Sequence, residues 1–420
     1  MKLTVQTDRS LVRASAPSRR YVLVSVVAPE AERTRARAPI NIAFVLDRSG
    51  SMGGEKIVLA RRAVDHALRL LRDDDHFSLV VYDSEIDVIV ESTLATGEAR
   101  QNALARLAKI DARGNTDLCG GWLRGCEQVA GHLTDGQIGR CLLLTDGLAN
   151  ESITDHAEIV NHARELSRRG VVTSTFGVGA DFDERLLQQM ADAGSGHFYF
   201  IERAVQIPDL LASEVGETLE VVARGVTLTI KTPAGLQADV LNQLATLREG
   251  DRAVVQLGDL VSRQELSVVV QVDVAVGHEG VRIGATFSLA DGAGQLRVAP
   301  VEQIWTFADV AANDGQPRNR VVDEAVGGIY AARARAEALE LNRAGKYTEA
   351  GQLLKGVVRK IESYAGSSAA LRKIIAELLQ SAEQASAPMA PLAAKAMYRL
   401  SVSMLRSRTV EGKARRDPKV

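Results

Sequence analysis

The chain has few cysteines: Cys119, Cys126 and Cys141 are the only three in 420 residues. They form neither the close pairs of a zinc site nor a disulfide framework. Cys141 lies inside an apolar run, so buried thiols in a reducing compartment are the expected state. Long hydrophobic stretches are missing too. No run approaches the roughly 18 apolar residues that a membrane span requires. Met1–Thr7 alternates like a strand and lacks the continuous apolar centre of a secretory leader, so the cytoplasm is the expected location. Net charge is slight, −2 at pH 7, which gives the whole chain no signature of nucleic-acid or membrane-surface binding. From Arg318 onward, however, 19 Lys and Arg face 10 Asp and Glu. Mutual attraction of the acidic and basic portions explains that better than a basic docking module. Enzyme signatures are also wanting. There is no G-x-x-x-x-G-K-[ST] phosphate loop, no H-E-x-x-H and no G-x-S-x-G, and the seven histidines are scattered.

What is present is ordinary globular composition, 46% hydrophobic and 25% charged, over a length sufficient for two or three cores. The organising stretch is Ala43-Phe44-Val45-Leu46-Asp47-Arg48-Ser49-Gly50-Ser51-Met52. Four apolar residues read as a buried parallel strand, and Ile57, Ala60, Val64, Ala67, Leu68 and Leu71 follow at helical spacing. The turn between them falls at the carboxyl end of a strand, where open α/β sheets place ligands. Its carboxylate and two hydroxyls are hard oxygen donors, suited to Mg²⁺, Mn²⁺ or Ca²⁺. Two further stretches share this character: Gly114-Asn115-Thr116-Asp117 before a helix, and Cys141–Leu144 running into Thr145-Asp146-Gly147.

Together, D-x-S-x-S at Asp47, Ser49 and Ser51, a distant Thr116 and the strand-terminal Thr145-Asp146-Gly147 resemble the metal-ion-dependent adhesion site of von Willebrand factor type A domains. The likeness covers about residues 41–205. It includes Gly50-Ser51-Met52, Asp75–Tyr82 and Thr175–Gly179. Each motif alone has an ordinary structural explanation, as a helix cap or turn; three in the family's order are specific. The resemblance implies a doubly wound, Rossmann-like α/β domain. It also implies a cation held by Asp47, Ser49, Ser51, Thr116 and Asp146, Mg²⁺ being expected with Mn²⁺ or Ca²⁺ as substitutes. A partner protein's Asp or Glu would complete the coordination. Intracellular relatives serve as adaptors or subunits of AAA+ ATPase or kinase–phosphatase assemblies, so a bacterial cytoplasmic adaptor that is not an enzyme is the expected function. The alternatives are an exported adhesin-like protein, since Asp47–Ile57 and Asp75–Tyr82 resemble inter-alpha-trypsin-inhibitor heavy chains, and a metal-dependent hydrolase. Two departures stand out. Asn115 stands where a second Gly is frequent, and Arg48 puts a cation beside the site, either tuning the partner or solvated.

Along the chain, strands are expected at 42–47, 76–83, 86–91, 141–146, 171–178 and 197–201. Of the close pair 76–83 and 86–91, one is expected to be an antiparallel edge. Helices are expected at 55–71, 98–110, 117–132, 155–169, 182–193 and 205–221. Residues 41–221 thus form the α/β domain. Residues 222–308 are β-rich and read as an antiparallel sandwich, which the strands of residues 1–40 would complete. Ala28–Pro39 reads as a surface loop. Residues 318–408 read as a helical bundle, with a tetratricopeptide-like hairpin at Ala336–Leu354 turning at Gly345. The polar residues 409–420 read as a disordered tail.

Overall fold

The computed structural model describes residues 1–31, 38–133 and 137–416, which divide into two compact units. One takes residues 1–31, 220–410 and 414 onward; the other takes 32–219 with 411–413.

In the first unit, the N-terminal strands are β1 (Lys2–Thr7), β2 (Leu11–Arg13) and β3 (Ser18–Val27). The chain then enters the second unit, built from β4 (Ile40–Asp47), α1 (Glu55–Leu70), β5 (His76–Tyr82), β6 (Ile86–Leu94), α2 (Gly97–Leu107) and α3 (Leu118–Ala130). It continues through β7 (Ile138–Thr145), α4 (His156–Arg168), β8 (Val171–Val178), α5 (Glu184–Ala193), β9 (Ser195–Ile201) and α6 (Ile207–Leu219). The six strands form one sheet in the order β6-β5-β4-β7-β8-β9. All neighbours are parallel except β6, which runs antiparallel at the edge. This is a doubly wound α/β fold, as the alternation of strands and helices predicts.

Burial explains why these segments are strands. Every residue of β4 and β7 is buried, and apolar side chains on both faces meet helices. Phe44, Val45 and Leu46 are almost fully enclosed, each contributing about 1.5–3 kcal/mol on burial. Aspartates start several of the helices. Asp117, Asp155 and Asp183 accept from amides in the first turns of α3, α4 and α5, satisfying donors that the helix leaves free. Glycine lets α3 press on the sheet. A Cβ on Gly121 would lie 2.4 Å from the Tyr82 ring, and one on Gly125 would lie 2.2 Å from a methyl of Val45. That close approach seats the amino end of α3, and Thr116 just before it, beside the ends of β4 and β5.

The rest of the first unit begins with β10 (Val221–Lys231), β11 (Leu236–Val240), β12 (Thr246–Glu249), β13 (Arg252–Val261), β14 (Glu265–Val274), β15 (Arg282–Ala290) and β16 (Val301–Ala308). Two sheets result, ordered β1-β3-β14-β11 and β12-β13-β10-β15-β16-β2. Their inward residues, including Val24, Val268, Val255, Phe287 and Trp305, make one core. The pairings are antiparallel except β2 on β16, which is parallel. Helices α7 (Val310–Gly315), α8 (Arg320–Arg343), α9 (Tyr347–Ala365), α10 (Ala369–Ala385) and α11 (Pro391–Leu405) complete the unit. Val322, Val326 and Ile329 of α8 pack with Leu23 and Val269 of the first sheet. Gly345 makes the turn between α8 and α9 with φ +76°, a region where a side chain is strained.

Several boundaries differ from the sequence reading. The helix expected at 205–221 is α6, ending at Leu219, because the β-branched Val221 and Val222 enter β10. Strands β2, β11 and β12 were too short to announce themselves. Residues 409–416 are not disordered. Ala414 bridges Arg408, Arg416 bridges Gln264, and the Glu265 amide donates to the Arg415 carbonyl at 2.9 Å. Polarity hid this, since backbone groups and not apolar side chains make the attachment. Residues 417–420, and residues 32–37 of the expected surface loop, lie outside the described residues.

Candidate metal centre

Asp47 ends β4, and Asp146 directly follows β7. The two strands are parallel neighbours, with Leu46 opposite Leu144, so residues about a hundred positions apart in sequence meet at the carboxyl edge of the sheet. Four of the five expected residues form one hydrogen-bonded chain. Asp47 Oδ1 accepts the Ser49 backbone N–H at 2.7 Å, and Ser49 Oγ lies 3.1 Å from Ser51 Oγ. Ser51 Oγ donates to Asp146 Oδ1 at 2.7 Å. The other Asp47 oxygen accepts the Thr145 hydroxyl at 2.6 Å. Thr116 is brought in by the loop before α3. A Cβ on Gly147 would lie 3.1 Å from its Oγ1, so glycine at that position leaves room for the hydroxyl next to Asp146. Asp47, Ser49, Thr116 and Asp146 are all buried, whereas Ser51 is exposed at the rim.

Two buried carboxylates so close are electrostatically costly. Burial, with the nearby Asp146 charge added, pushes the Asp47 carboxyl up to about 6, against the hydrogen bonds from Ser49 and Thr145. No cationic side chain is among its hydrogen-bond partners. Hard oxygens, two negative charges and a partly open rim fit a divalent cation of the Mg²⁺ or Ca²⁺ class.

The loops are held by residues that the motif does not contain. Arg48 is neither solvated nor turned toward the rim. It is 5% exposed, its Nε is 3.1 Å from Asp83 Oδ2, and its guanidinium reaches Asp87 at 2.6 Å. Arg113 meets the same Asp83 oxygen at 2.8 Å. Burial would raise the Asp83 carboxyl, but the Glu85 amide and the Arg113 and Arg48 guanidiniums outweigh it and hold it below the usual range. The backbone adds three links: Arg113 N–H to the Arg48 carbonyl at 2.7 Å, Gly50 N–H to the Gly114 carbonyl at 3.1 Å, and Asp117 N–H to the Asp83 carbonyl at 2.8 Å. The first two fasten the Thr116 loop to the Ser49–Ser51 loop, and the third fastens it to the loop after β5. Asn115 donates to Glu151 at 3.0 Å, tying in the loop after Asp146. Asp75 stays out of the site, accepting the Ile40 amide at 3.0 Å. Lys56, in the first turn of α1, does enter it, bonded to the Asp146 carboxylate.

A second polar cluster lies under α6. Glu214 accepts from Ser174 and Tyr199, each at 2.6 Å, and lies 3.0 Å from His197 Nδ1. Burial alone would raise its carboxyl; His197 above all, with Arg140 and Ser174, overrides that and holds it far below its ordinary value. The donor atoms of His197, Glu214 and Glu217 lie within 4.8 Å of one another. Since Glu214 is already supplied with donors and positive charge, the cluster reads as a clasp for α6. The three cysteines are free and buried, and burial pushes the Cys119 thiol up to about 12.

This α/β unit, with oxygen donors at the carboxyl edge of its sheet, defines a class. Residues 41–213 match the family model of the von Willebrand factor type A domain, and the chain contains such a domain. Among curated proteins it is 30% identical to the uncharacterized protein YfbK of Escherichia coli over 193 residues, 46% of this chain and 33% of that one. It is 26% identical to the uncharacterized protein sll0103 of Synechocystis over 271 residues, 62% and 63% of the two chains. Human inter-alpha-trypsin inhibitor heavy chain H4 is 30% identical over 190 residues, 44% of this chain and 20% of that one. The chain thus spans less than two thirds of each of these relatives. Among solved structures, a von Willebrand factor type A protein from Catenulispora acidiphila superposes with a TM-score of 0.68 at 18% identity, covering 89% and 88% of the two chains. The ArnB paralog VWA2 from Sulfolobus acidocaldarius gives 0.58 at 17% identity, covering 98% and 99%. At these identities the likeness speaks for the fold. Among the described residues, no helix is long and apolar enough to cross a membrane.

Proposed function

We propose that the von Willebrand factor type A domain is a divalent-cation-dependent protein-binding module in which Asp47, Ser49, Ser51, Thr116 and Asp146 hold Mg²⁺, with Mn²⁺ or Ca²⁺ as substitutes. The observation that carries this reading is Asp47, a wholly buried carboxylate with no cationic hydrogen-bond partner, beside the buried Asp146. A bound cation would supply an electrophilic position for an Asp or Glu of a partner protein. The chain's own residues supply the rest. Thr145 and the Ser49 amide orient Asp47, the hydroxyls of Ser49, Ser51 and Thr116 add oxygens without charge, and Asp83 with Arg48 and Arg113 frames the loops. A negative charge limited to two carboxylates leaves attraction for a third, and that third is the partner's.

We assign no catalysis to the site, because none of the groups described around it is poised as a general base. The three free cysteines favour a reducing compartment, and the proposed role is that of an adaptor in a bacterial cytoplasmic assembly. The likeness to inter-alpha-trypsin inhibitor heavy chains favours a second reading, an exported adhesin-like protein, and cell fractionation separates the two. The test of the site is calorimetric titration of Mg²⁺, Mn²⁺ and Ca²⁺ into metal-stripped protein, beside Asp47→Ala and Asp146→Ala checked for folding by thermal melts. Binding by the wild type and its loss in both variants are expected. Undiminished binding in folded variants would place the cation elsewhere.

A further inference from the structure

Lys56 lies outside the motif, yet its ammonium sits in the site. Its Nζ donates to Asp146 Oδ2 and, at 3.2 Å, to the Ser51 carbonyl. On another side a Cβ on Gly179, the residue after β8, would lie 3.9 Å from it, so bare backbone flanks the ammonium there. The Asp146 side chain is fully buried, whereas that of Lys56 is 29% exposed; the lysine enters from the solvent side and covers the carboxylate. Asp146 Oδ1 meanwhile takes the Ser51 hydroxyl at 2.7 Å. Both oxygens of Asp146 are therefore engaged, one by a hydroxyl that belongs to the donor set and one by a cation that the chain carries itself.

We propose that Lys56 is a tethered counter-cation that competes with the divalent ion for Asp146, so that metal entry releases the lysine. This rests on the metal-centre reading above. An ammonium and a divalent ion within a few ångströms of one buried carboxylate repel each other with little screening. Only one of them is on a flexible stem that can swing into water. Asp47 has no such substitute, so the competition falls on Asp146 alone. With no metal bound, Lys56 keeps Asp146 hydrogen-bonded, and the centre stays assembled. With metal bound, the freed ammonium adds positive charge at the rim beside Ser51, where an acidic partner arrives. The lysine therefore lowers the site's affinity for the cation and makes its charge at the rim depend on occupancy.

The test titrates Mg²⁺ by calorimetry into the metal-stripped full chain and into Lys56→Met, Lys56→Gln and Asp146→Ala, with thermal melts as folding controls. Both lysine variants should bind Mg²⁺ about tenfold more tightly than wild type, the scale expected from one nearby like charge at a partly open site. Asp146→Ala should bind none. Acetylation of Lys56 by an amine-reactive reagent, read by mass spectrometry, should be slow in stripped wild-type protein and accelerated by Mg²⁺. Lysine variants that bind no tighter than wild type, or acetylation that Mg²⁺ leaves unchanged, overturn the competition. The metal centre itself survives that result provided Asp146→Ala has lost binding. If no protein binds Mg²⁺, lysine variants included, the metal centre and the competition fall together.

Discussion

Asp47→Asn should make the metal-free protein more stable at neutral pH. The wild-type carboxyl is raised from 3.8 to about 6 by burial. A raised carboxylate means that the folded state holds its proton more tightly than the unfolded chain. Between about pH 4 and 6 the folded state therefore binds more protons, and stability falls as pH rises through that window. Above it the loss is complete. A shift of about two units corresponds to about 3 kcal/mol at 1.36 kcal/mol per unit. For a unit of this size that is roughly 6–12 °C in melting temperature. Asparagine keeps an acceptor for the Ser49 amide and avoids the buried charge. In chelator, the variant and wild type should therefore melt together near pH 4 and separate by several degrees at pH 7.5, the variant higher. Differencing the two proteins removes the opposite trends of carboxyls such as Asp83 and Glu214. Millimolar Mg²⁺ should reverse the order, since only wild type gains binding free energy. A variant no more stable than wild type at pH 7.5 in chelator would refute the claim that Asp47 is a destabilising charge awaiting a cation.

Two further perturbations probe the scaffold. Gly125→Ala should destabilise the α/β unit by about 1–3 kcal/mol in urea titrations, although alanine normally favours a helix, because the new Cβ would meet Val45 at 2.2 Å. It should also weaken Mg²⁺ binding by shifting Thr116 at the start of α3; unchanged stability would mean that α3 stands off the sheet. Glu214→Gln should cost about 3–5 kcal/mol, because it removes the buried carboxylate on which Ser174, Tyr199 and His197 converge. Because the Glu214 carboxyl is depressed on folding, its contribution is present above the ordinary Glu range and lost as pH falls. The variant's melting temperature should therefore change less than wild type's on acidification; an equal acid slope in both proteins would contradict the assignment.

The α/β domain was legible because its signals are local. Apolar runs such as Ala43–Leu46 and Cys141–Leu144 read as buried strands, the helical period after Met52 is unbroken, and aspartates mark helix starts at Asp117 and Asp183. Of the proposed donors, Asp47, Ser49 and Ser51 stand within five residues, and Thr116 and Asp146 flank recognisable elements, so their chemistry could be read along the chain. Pairing over long separations could not. Arg48 carries no hint that Asp83 and Asp87 will bury it; that follows from β5 lying beside β4, with β6 on the far side of β5. Nothing along the chain around Glu214 announces Ser174, His197 and Tyr199, which β8 and β9 place against it. The tail looked disordered because it offers little apolar surface, while what places it is the open backbone at the start of β14.

Lys56 shows the division most plainly. Its position in the first turn of α1 is set by the local sequence, but its role depends on Asp146, ninety residues away, arriving beside it. By itself the sequence determined which segments bury, where helices begin and which oxygens stand at strand ends, since those depend on neighbours a few residues apart. Only the tertiary structure decided which charges meet, because sheet order brings together strands whose separation along the chain carries no local signal.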